Sequence, residues 1–274
     1  MQNIFSVSSS ISDKMNVFRK YGRPPFRIIL VHGGPGAVGE MKPVAMRLAE
    51  ESGVVECFNR GLTVEGQLKE LEQCVAICKE EKPVIAGFSW GAWLSILFAA
   101  RHSDRLGKLI LIGSGPLEIK YAQNIHKTRM SRLNENRHKE FSSLISELEK
   151  NNISDRDTVF KKLGSMVSQS DSFDPVEDAK EEIELHPEVY LSVWKEASDL
   201  RENGQLLNDF LTITCPVVAI HGDYDPHPYK GILIPGQKLS GNFQFELLKN
   251  CGHTPWMEKQ AKENFFRILG KYIR

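Results

Sequence analysis

The sequence lacks an excess of charge of either sign. Lys and Arg together number 35, and Asp and Glu also number 35, which gives a formal net charge of zero. Proteins that bind nucleic acids usually present a basic face, and this balance does not favour one. With 41% hydrophobic and 26% charged residues, the composition is typical of a soluble globular protein. We therefore expect a globular domain without a nucleic-acid partner.

Long hydrophobic runs are also missing. The longest ones, such as residues 93–100, are far shorter than the roughly 20 apolar residues of a membrane-spanning helix. The N-terminus has no charged stretch followed by an apolar run, so we expect no secretory signal. These features predict a cytoplasmic protein that does not associate with membranes.

Cysteines are few, and their pattern favours neither disulfides nor zinc. There are five, an odd number without any C-x-x-C pair, at positions 57, 74, 78, 215 and 251. This pattern predicts buried or half-buried, reduced thiols in a reducing compartment. The His and Asp residues of segment 221–227 lack the usual metal-ligand spacing, and Pro226 and Pro228 interrupt any shared ligand face. We expect no metal site and no cofactor.

Short β-branched runs alternate with longer amphipathic patterns along most of the chain. Such alternation predicts an α/β fold, a mostly parallel sheet with helices on both faces. The predicted strands are 27–31, 54–58, 83–87, 108–112, 217–220 and 243–248. The predicted helices are 41–51, 65–80, 90–102 and one from about 257 to the end. Residues 3–20 could add an antiparallel hairpin at the sheet edge.

The segment between the fourth and fifth predicted strands is different in character. Residues 116–211 are helix-rich and highly charged, with two apolar stripes at helical spacing. Ligands of open α/β sheets bind beyond the carboxyl ends of the strands. We therefore predict a core domain made of residues 1–115 and 212–274, with residues 116–211 inserted as a helical cap (lid).

Residues 87–91 read GFSWG and fit the pattern G-x-S-x-G. The motif follows a buried strand and opens an apolar helix, which is the setting of a nucleophile elbow. Flanking glycines are required there because a Cβ would collide with the neighbouring strand and helix. We interpret Ser89 as the nucleophile; the alternative is a strand-to-helix turn with Ser89 as a simple N-cap.

Residues 32–36 read HGGPG and directly follow the first predicted strand. Acyl transfer produces an oxyanion that fixed backbone N–H groups stabilise. We assign these donors to Gly34 and to Trp90, the residue after the nucleophile. The alternative is a glycine loop that only turns the chain, since no phosphate-binding motif is present. His32 is expected to be a structural hydrogen-bonding residue.

A serine needs a base to remove its proton and an acid to orient that base. In this architecture the acid precedes the histidine in the chain. Asp225 lies in the loop after the fifth predicted strand and is our choice for the acid over Asp223; the alternative is a helix N-cap before Pro226. His253 follows the last predicted strand and is expected to be the base.

Together, HGGPG, GFSWG, HGDYD and NCGH (residues 250–253) stand in the order typical of the α/β-hydrolase superfamily, which the chain resembles. The HGGPG loop with Ser-Trp-Gly at the elbow is similar to proline iminopeptidases and related single-chain hydrolases. The resemblance implies an eight-stranded sheet with a helical cap. It also implies Ser89, Asp225 and His253 as the catalytic triad, with Gly34 and Trp90 as the oxyanion donors.

The expected activity is hydrolysis of a small carboxylic ester or amide through an acyl-enzyme. The elbow GFSWGA differs from the G-G-S-W-G-G form usual in the peptidases, so a proline iminopeptidase-like aminopeptidase, acting on small N-terminal residues of short peptides, is the second hypothesis. The third is a catalytically silent hydrolase fold that binds a ligand or partner. The four tryptophans either line an acyl pocket or belong to the core; they are Trp90, Trp93, Trp194 and Trp256.

Overall fold

The alternation of strands and helices expected from the sequence is confirmed in a computed structural model of the chain. It describes residues 16–78, 82–148, 155–176, 183–239 and 241–274. The strands are β1 (Phe18–Tyr21), β2 (Phe26–Val31), β3 (Ala37–Val38), β4 (Gly53–Cys57), β5 (Val84–Phe88), β6 (Lys108–Ile112), β7 (Glu184–Leu185), β8 (Val217–Gly222) and β9 (Phe243–Leu248).

The main sheet has the strand order β1-β4-β2-β5-β6-β8-β9. All neighbouring pairs are parallel except the edge pair of β1 and β4, which is antiparallel. Over the described residues the sheet therefore has seven strands, one fewer than the eight that the resemblance implies. β1 lies at the edge where the hairpin of residues 3–20 was expected, and residues 3–15 are outside the described ranges.

Helices cover both faces of this sheet. They are α1 (Lys42–Leu48), α2 (Val64–Ile77), α3 (Trp90–His102), α4 (Ile119–Ala122), α5 (Ile125–Ser131), α6 (Glu135–Leu148), α7 (Arg156–Asp171), α8 (Pro187–Glu202), α9 (Gln205–Leu211), α10 (Lys230–Gly236) and α11 (Lys262–Ile273). None of these described helices is long and apolar enough to span a membrane. The last helix begins at Lys262 instead of about 257, because Pro255–Met257 forms a 3₁₀ turn before it.

Strand β2 shows why the parallel strands have no polar–apolar alternation. Ile28 and Leu30 belong to the hydrophobic cluster under α1 and α11, whereas Ile29 and Val31 belong to the cluster under α2 and α3. Each of the four side chains is at most 1% exposed. Burying such a side chain stabilises the fold by about 1.5–3 kcal/mol. Both faces of the strand must therefore be apolar.

The helices α4–α9 and the short strand β7 lie between β6 and β8 in the chain. Two of them, α6 and α7, share a separate small core of Phe141, Leu144, Val159 and Met166. In contrast, Leu206 and Phe210 of α9 join the main cluster beneath α3. β7 pairs with β3, so this helical segment also contacts the loop that follows β2.

The cysteine prediction is wrong for two residues. Cys57 at the end of β4 and Cys74 on α2 are bonded as a disulfide, and both are fully buried. Helix α2 packs directly on β4 and brings their Cα atoms to 6.4 Å, which the spacing of the two residues in the sequence does not reveal. Cys78, Cys215 and Cys251 are free thiols. The cytoplasmic location stays a prediction, now without support from these two cysteines.

Candidate active site

Ser89 lies at the sharp turn between β5 and α3. Its backbone angles are φ +52° and ψ −111°, a conformation that costs a non-glycine residue roughly 1–3 kcal/mol. A Cβ on Gly87 would collide with Gly91 and Ser95 of α3, and a Cβ on Gly91 would collide with the backbone of Val31. The two glycines therefore permit the close approach of strand and helix that forces Ser89 outward, as the motif predicts.

The Ser89 side chain does not serve as a helix cap. It makes no capping hydrogen bond to α3, although Ser89 occupies the N-cap position. Its Oγ instead lies 3.0 Å from Nε2 of His253, in the loop between β9 and the 3₁₀ turn. The structure thus brings together the two residues assigned as nucleophile and base.

The second nitrogen of His253 faces Asp225. Nδ1 of His253 lies 2.7 Å from Oδ2 of Asp225, in the loop after β8. Because an ionised carboxylate can only accept, Nδ1 carries the proton and Nε2 is free to accept the proton of Ser89. The three residues form one hydrogen-bonded chain from serine to carboxylate.

The geometry also separates Asp225 from the alternatives. Asp223 faces Cys251 N–H, at 3.3 Å, and the Lys249 ammonium, at 3.6 Å, and not His253. The N-cap interpretation of Asp225 is not what the structure shows, because α10 begins only at Lys230. Asp225 is the carboxylate within hydrogen-bonding distance of His253, and its role as the acid stays a prediction.

Three imidazoles surround the Asp225 carboxylate, those of His253, His227 and His221. Burial alone would raise the pKa of Asp225, but the histidines hold it well below its usual range. Burial would likewise lower the pKa of His253, yet the adjacent Asp225, together with Asp171, outweighs it and raises that pKa. The site therefore keeps the carboxylate ionised and makes His253 a stronger base than a free histidine.

The loop that carries Gly34 lies beside the elbow, because β2 and β5 are adjacent parallel strands that end at the same edge of the sheet. Gly34 has φ +20°, and a Cβ there would meet only that of Ala37, at 3.7 Å. A side chain at Gly34 would therefore make only an ordinary contact, and Trp90, directly after Ser89, is the first residue of α3. The oxyanion role of the two N–H groups stays a prediction.

His32 has the structural role expected of it. It is fully buried, and its two ring nitrogens each lie 2.7 Å from a carbonyl oxygen, of Gly33 and of Phe58. Burial lowers its pKa, against the opposite effect of the two carbonyl groups. His32 therefore connects the loop after β2 to the end of β4.

Of the four tryptophans, three belong to the core. Trp90, Trp93 and Trp256 are at most 3% exposed, whereas Trp194 of α8 is 36% exposed. Trp194 stacks between Trp93, with ring centroids 6.0 Å apart, and Tyr190, at 5.9 Å. This stack joins α8 to α3, and Trp194 is the one tryptophan whose side chain is partly exposed.

The helical segment contributes an ion pair that the sequence analysis missed. Arg129 of α5 donates two hydrogen bonds to the Asp171 carboxylate at the end of α7, at 2.8 and 2.6 Å. The backbone carbonyl of Asp171 accepts a hydrogen bond from the N–H of His253, at 2.9 Å. No local motif marks either residue, because their partners are distant in the chain.

Glu258 is a second such contact. Its carboxylate is 1% exposed and accepts hydrogen bonds from three backbone N–H groups, of Phe173, Asp174 and Gly252, at 2.8, 2.7 and 2.9 Å. A backbone bond from Val176 to Met257 continues this pairing. Glu258 thus joins the segment after α7 to the loop of His253.

The side chains of Asp225, His227 and His253 are also close enough together to bind one metal ion. One potential ligand atom from each lies within 4.8 Å of the others. However, both imidazoles direct Nδ1 at the same carboxylate, with hydrogen bonds of 2.7 Å. This arrangement is typical of a hydrogen-bonded network around an acid.

Comparison with known proteins identifies the fold. No family model matches the chain, and no curated protein matches it in sequence. Among solved structures it is similar to VinJ (18% identity, TM-score 0.66, 93% of each chain). It is also similar to a thermophilic esterase from Thermogutta terrifontis (19%, 0.59, 94% of this chain and 93% of that one). A third is the enol-lactonase from Burkholderia xenovorans LB400 (16%, 0.58, 93% and 94%). The chain therefore has the α/β-hydrolase fold.

Proposed function

We propose that the protein is a serine hydrolase that cleaves a small carboxylic ester or amide through an acyl-enzyme. The observation that carries this proposal is the hydrogen-bonded chain from Ser89 Oγ through His253 to Asp225, with Ser89 held at a positive φ. Structures similar to the chain include an esterase and an enol-lactonase, which supports hydrolysis of esters.

The proposed reaction gives each of these residues one role. Ser89 Oγ attacks the carbonyl carbon while its proton passes to Nε2 of His253, and the carbonyl π electrons move onto oxygen. The N–H groups of Gly34 and Trp90 stabilise that oxyanion. The oxyanion then collapses, and His253 returns the proton to the leaving alcohol or amine. Water, deprotonated by His253, cleaves the acyl-enzyme to the acid and restores Ser89.

We assign residues 116–211 to a cap that lies over this site, and residues 1–115 and 212–274 to the core. The contacts of Asp171 with His253 and of β7 with β3 support this assignment, because both lie beyond the carboxyl ends of the strands. A small molecule would bind between cap and core. No cofactor is needed for the chemistry proposed.

Aminopeptidase activity is the alternative, and one observation favours ester or simple amide hydrolysis over it. A free substrate ammonium group requires a buried acid in the cap. Within the described part of the cap, Asp171 is the one buried acid, and Arg129 already neutralises it. Its carboxylate is therefore not available to hold a substrate ammonium.

The test is the mass of the intact protein after exposure to a fluorophosphonate probe. We expect a single adduct on the wild type, none on Ser89→Ala and slow formation on His253→Ala. A panel of p-nitrophenyl esters and aminoacyl anilides then identifies the substrate class. Cleavage of anilides and not of esters would favour the aminopeptidase. No adduct on folded wild type would favour the silent, ligand-binding alternative.

A further inference from the structure

A second histidine shares the acid of the triad. Oδ1 of Asp225 accepts hydrogen bonds from the backbone N–H of His227, at 2.9 Å, and from its Nδ1, at 2.7 Å. The other oxygen, Oδ2, accepts from His253. The two imidazole rings lie side by side, with centroids 4.5 Å apart. The mechanism proposed above assigns no role to His227.

The other nitrogen of His227 faces the cap. Its Nε2 lies 3.4 Å from Nη2 of Arg129. A guanidinium can only donate, so Nε2 must be the accepting nitrogen and Nδ1 must carry the proton. Arg129 in turn binds Asp171, whose carbonyl accepts from the N–H of His253. A closed ring of contacts therefore connects the cap ion pair to both histidines.

The charges around His227 favour its neutral form. Burial lowers its pKa, and the adjacent His253 and Arg129 lower it further, whereas Asp225 raises it without outweighing them. His221, which is also titratable, has its Nε2 2.8 Å from the carbonyl oxygen of His227 and 3.4 Å from Oδ2 of Asp225. His227 thus stays an uncharged donor while His253 takes up a proton.

We propose that His227 is a positioning residue for proton transfer: oriented by Arg129, its Nδ1–H holds Oδ1 of Asp225, so that Oδ2 stays aimed at His253. The inference rests on the proposed function. Two donors on Oδ1 prevent the carboxylate from rotating away when His253 moves between Ser89 and the leaving group. A donor on Oδ1 also stabilises the carboxylate anion and so limits how far Asp225 raises the basicity of His253.

The experiment compares His227→Asn with His227→Phe. The side-chain nitrogen of Asn occupies nearly the position of Nδ1 and retains the donor, whereas Phe retains the ring and removes it. The measured quantity is the rate constant of fluorophosphonate labelling of Ser89 as a function of pH, which needs no substrate. His102→Phe, at the opposite end of α3 from Ser89, is the matched control, and thermal unfolding confirms that each variant is folded.

We expect the labelling rate constant of His227→Phe to be about tenfold lower, since a hydrogen bond to a charged group is lost. We also expect the acidic limb of its pH–rate profile, where the rate falls with decreasing pH, to move to higher pH. His227→Asn should restore most of the rate and the wild-type limb. Equal rates and limbs in His227→Phe and wild type would overturn the proposal, and so would equal slowing in both variants. Absence of labelling in folded wild type would instead overturn the proposed function itself.

An independent measurement covers the case in which His227→Phe does not fold. Imidazole ¹⁵N chemical shifts of the wild type report which nitrogen carries the proton. We expect His227 to be neutral and protonated on Nδ1 at pH 7. The Nε2–H tautomer, or a cation, at that pH would overturn the proposal.

Discussion

The two sides of the candidate site are built in different ways. On the core side, glycines let backbone segments approach closely, and this close approach fixes Ser89 at the turn between β5 and α3. On the side of the proposed cap, buried charged side chains make the contacts, through Asp171 of the helical segment and Glu258 of the core. The glycines of the core side belong to short sequence motifs, whereas the contacts of the charged side chains depend on which distant segments of the chain meet.

The largest expected effect is a loss of activity caused by a substitution on the core side. Asp225→Asn should reduce the labelling rate and kcat on the order of 10³-fold or more, because the amide nitrogen would impose the wrong tautomer on His253. The measurement is kcat on a p-nitrophenyl ester. Asp223→Asn is the matched control and should retain most activity, since Asp223 does not contact His253. Similar losses in both variants would contradict the assignment of the acid.

The prediction from sequence succeeded where the signal is local. Strands β6 and β9 and helix α3 have the predicted bounds, and Ser89, His253 and Asp225 lie within hydrogen-bonding reach. Each of these residues follows a strand of the parallel sheet, so the fold itself brings them to one edge.

What the sequence could not reveal are contacts whose geometry no motif records. Arg129 and Asp171 meet across two helices, and nothing in the sequence distinguishes either from the many solvated charges of residues 116–211. The disulfide of Cys57 and Cys74 likewise requires the packing of α2 on β4. His227 could have been noticed from its position two residues after the acid. Its proposed role, however, depends on the contact with Arg129, which the sequence does not show.

The cap side should respond mainly in stability. Glu258→Gln replaces one accepting oxygen by an amide nitrogen that faces backbone N–H groups. We expect a loss of about 2 kcal/mol in the free energy of unfolding, because buried donors lose a charged acceptor. Urea denaturation measures it, with Glu263→Gln, an exposed residue on α11, as the control. An unchanged midpoint would show that this contact does not hold the cap to the core.

A smaller effect should show the backbone strain at Ser89 separately from its role in the reaction. Ser89→Gly removes the penalty of a positive φ and should increase the free energy of unfolding by about 1 kcal/mol relative to Ser89→Ala. Both variants lack the nucleophile, so activity does not distinguish them. Thermal and urea unfolding of the pair provide the measurement. A Gly variant less stable than the Ala variant would contradict the idea that the elbow stores strain.

The smallest effect concerns pH and connects the two sides. The raised pKa of His253 means that labelling falls as the pH drops through a value above the usual 6.5. Asp171→Asn removes a negative charge that raises this pKa and leaves the positive Arg129 that lowers it. The acidic limb should therefore move to lower pH. Asp157→Asn, at the other end of α7, should leave it in place; equal limbs in both variants would exclude this coupling.

The pairing around Glu258 limits how the chain can be divided into functional pieces. Excising residues 116–211 would remove the N–H groups of Phe173 and Asp174 and leave the buried Glu258 carboxylate with one donor, Gly252. It would also remove the carbonyl that holds the His253 N–H. A shortened protein or a chimera with a foreign insert must therefore retain or replace residues 171–174.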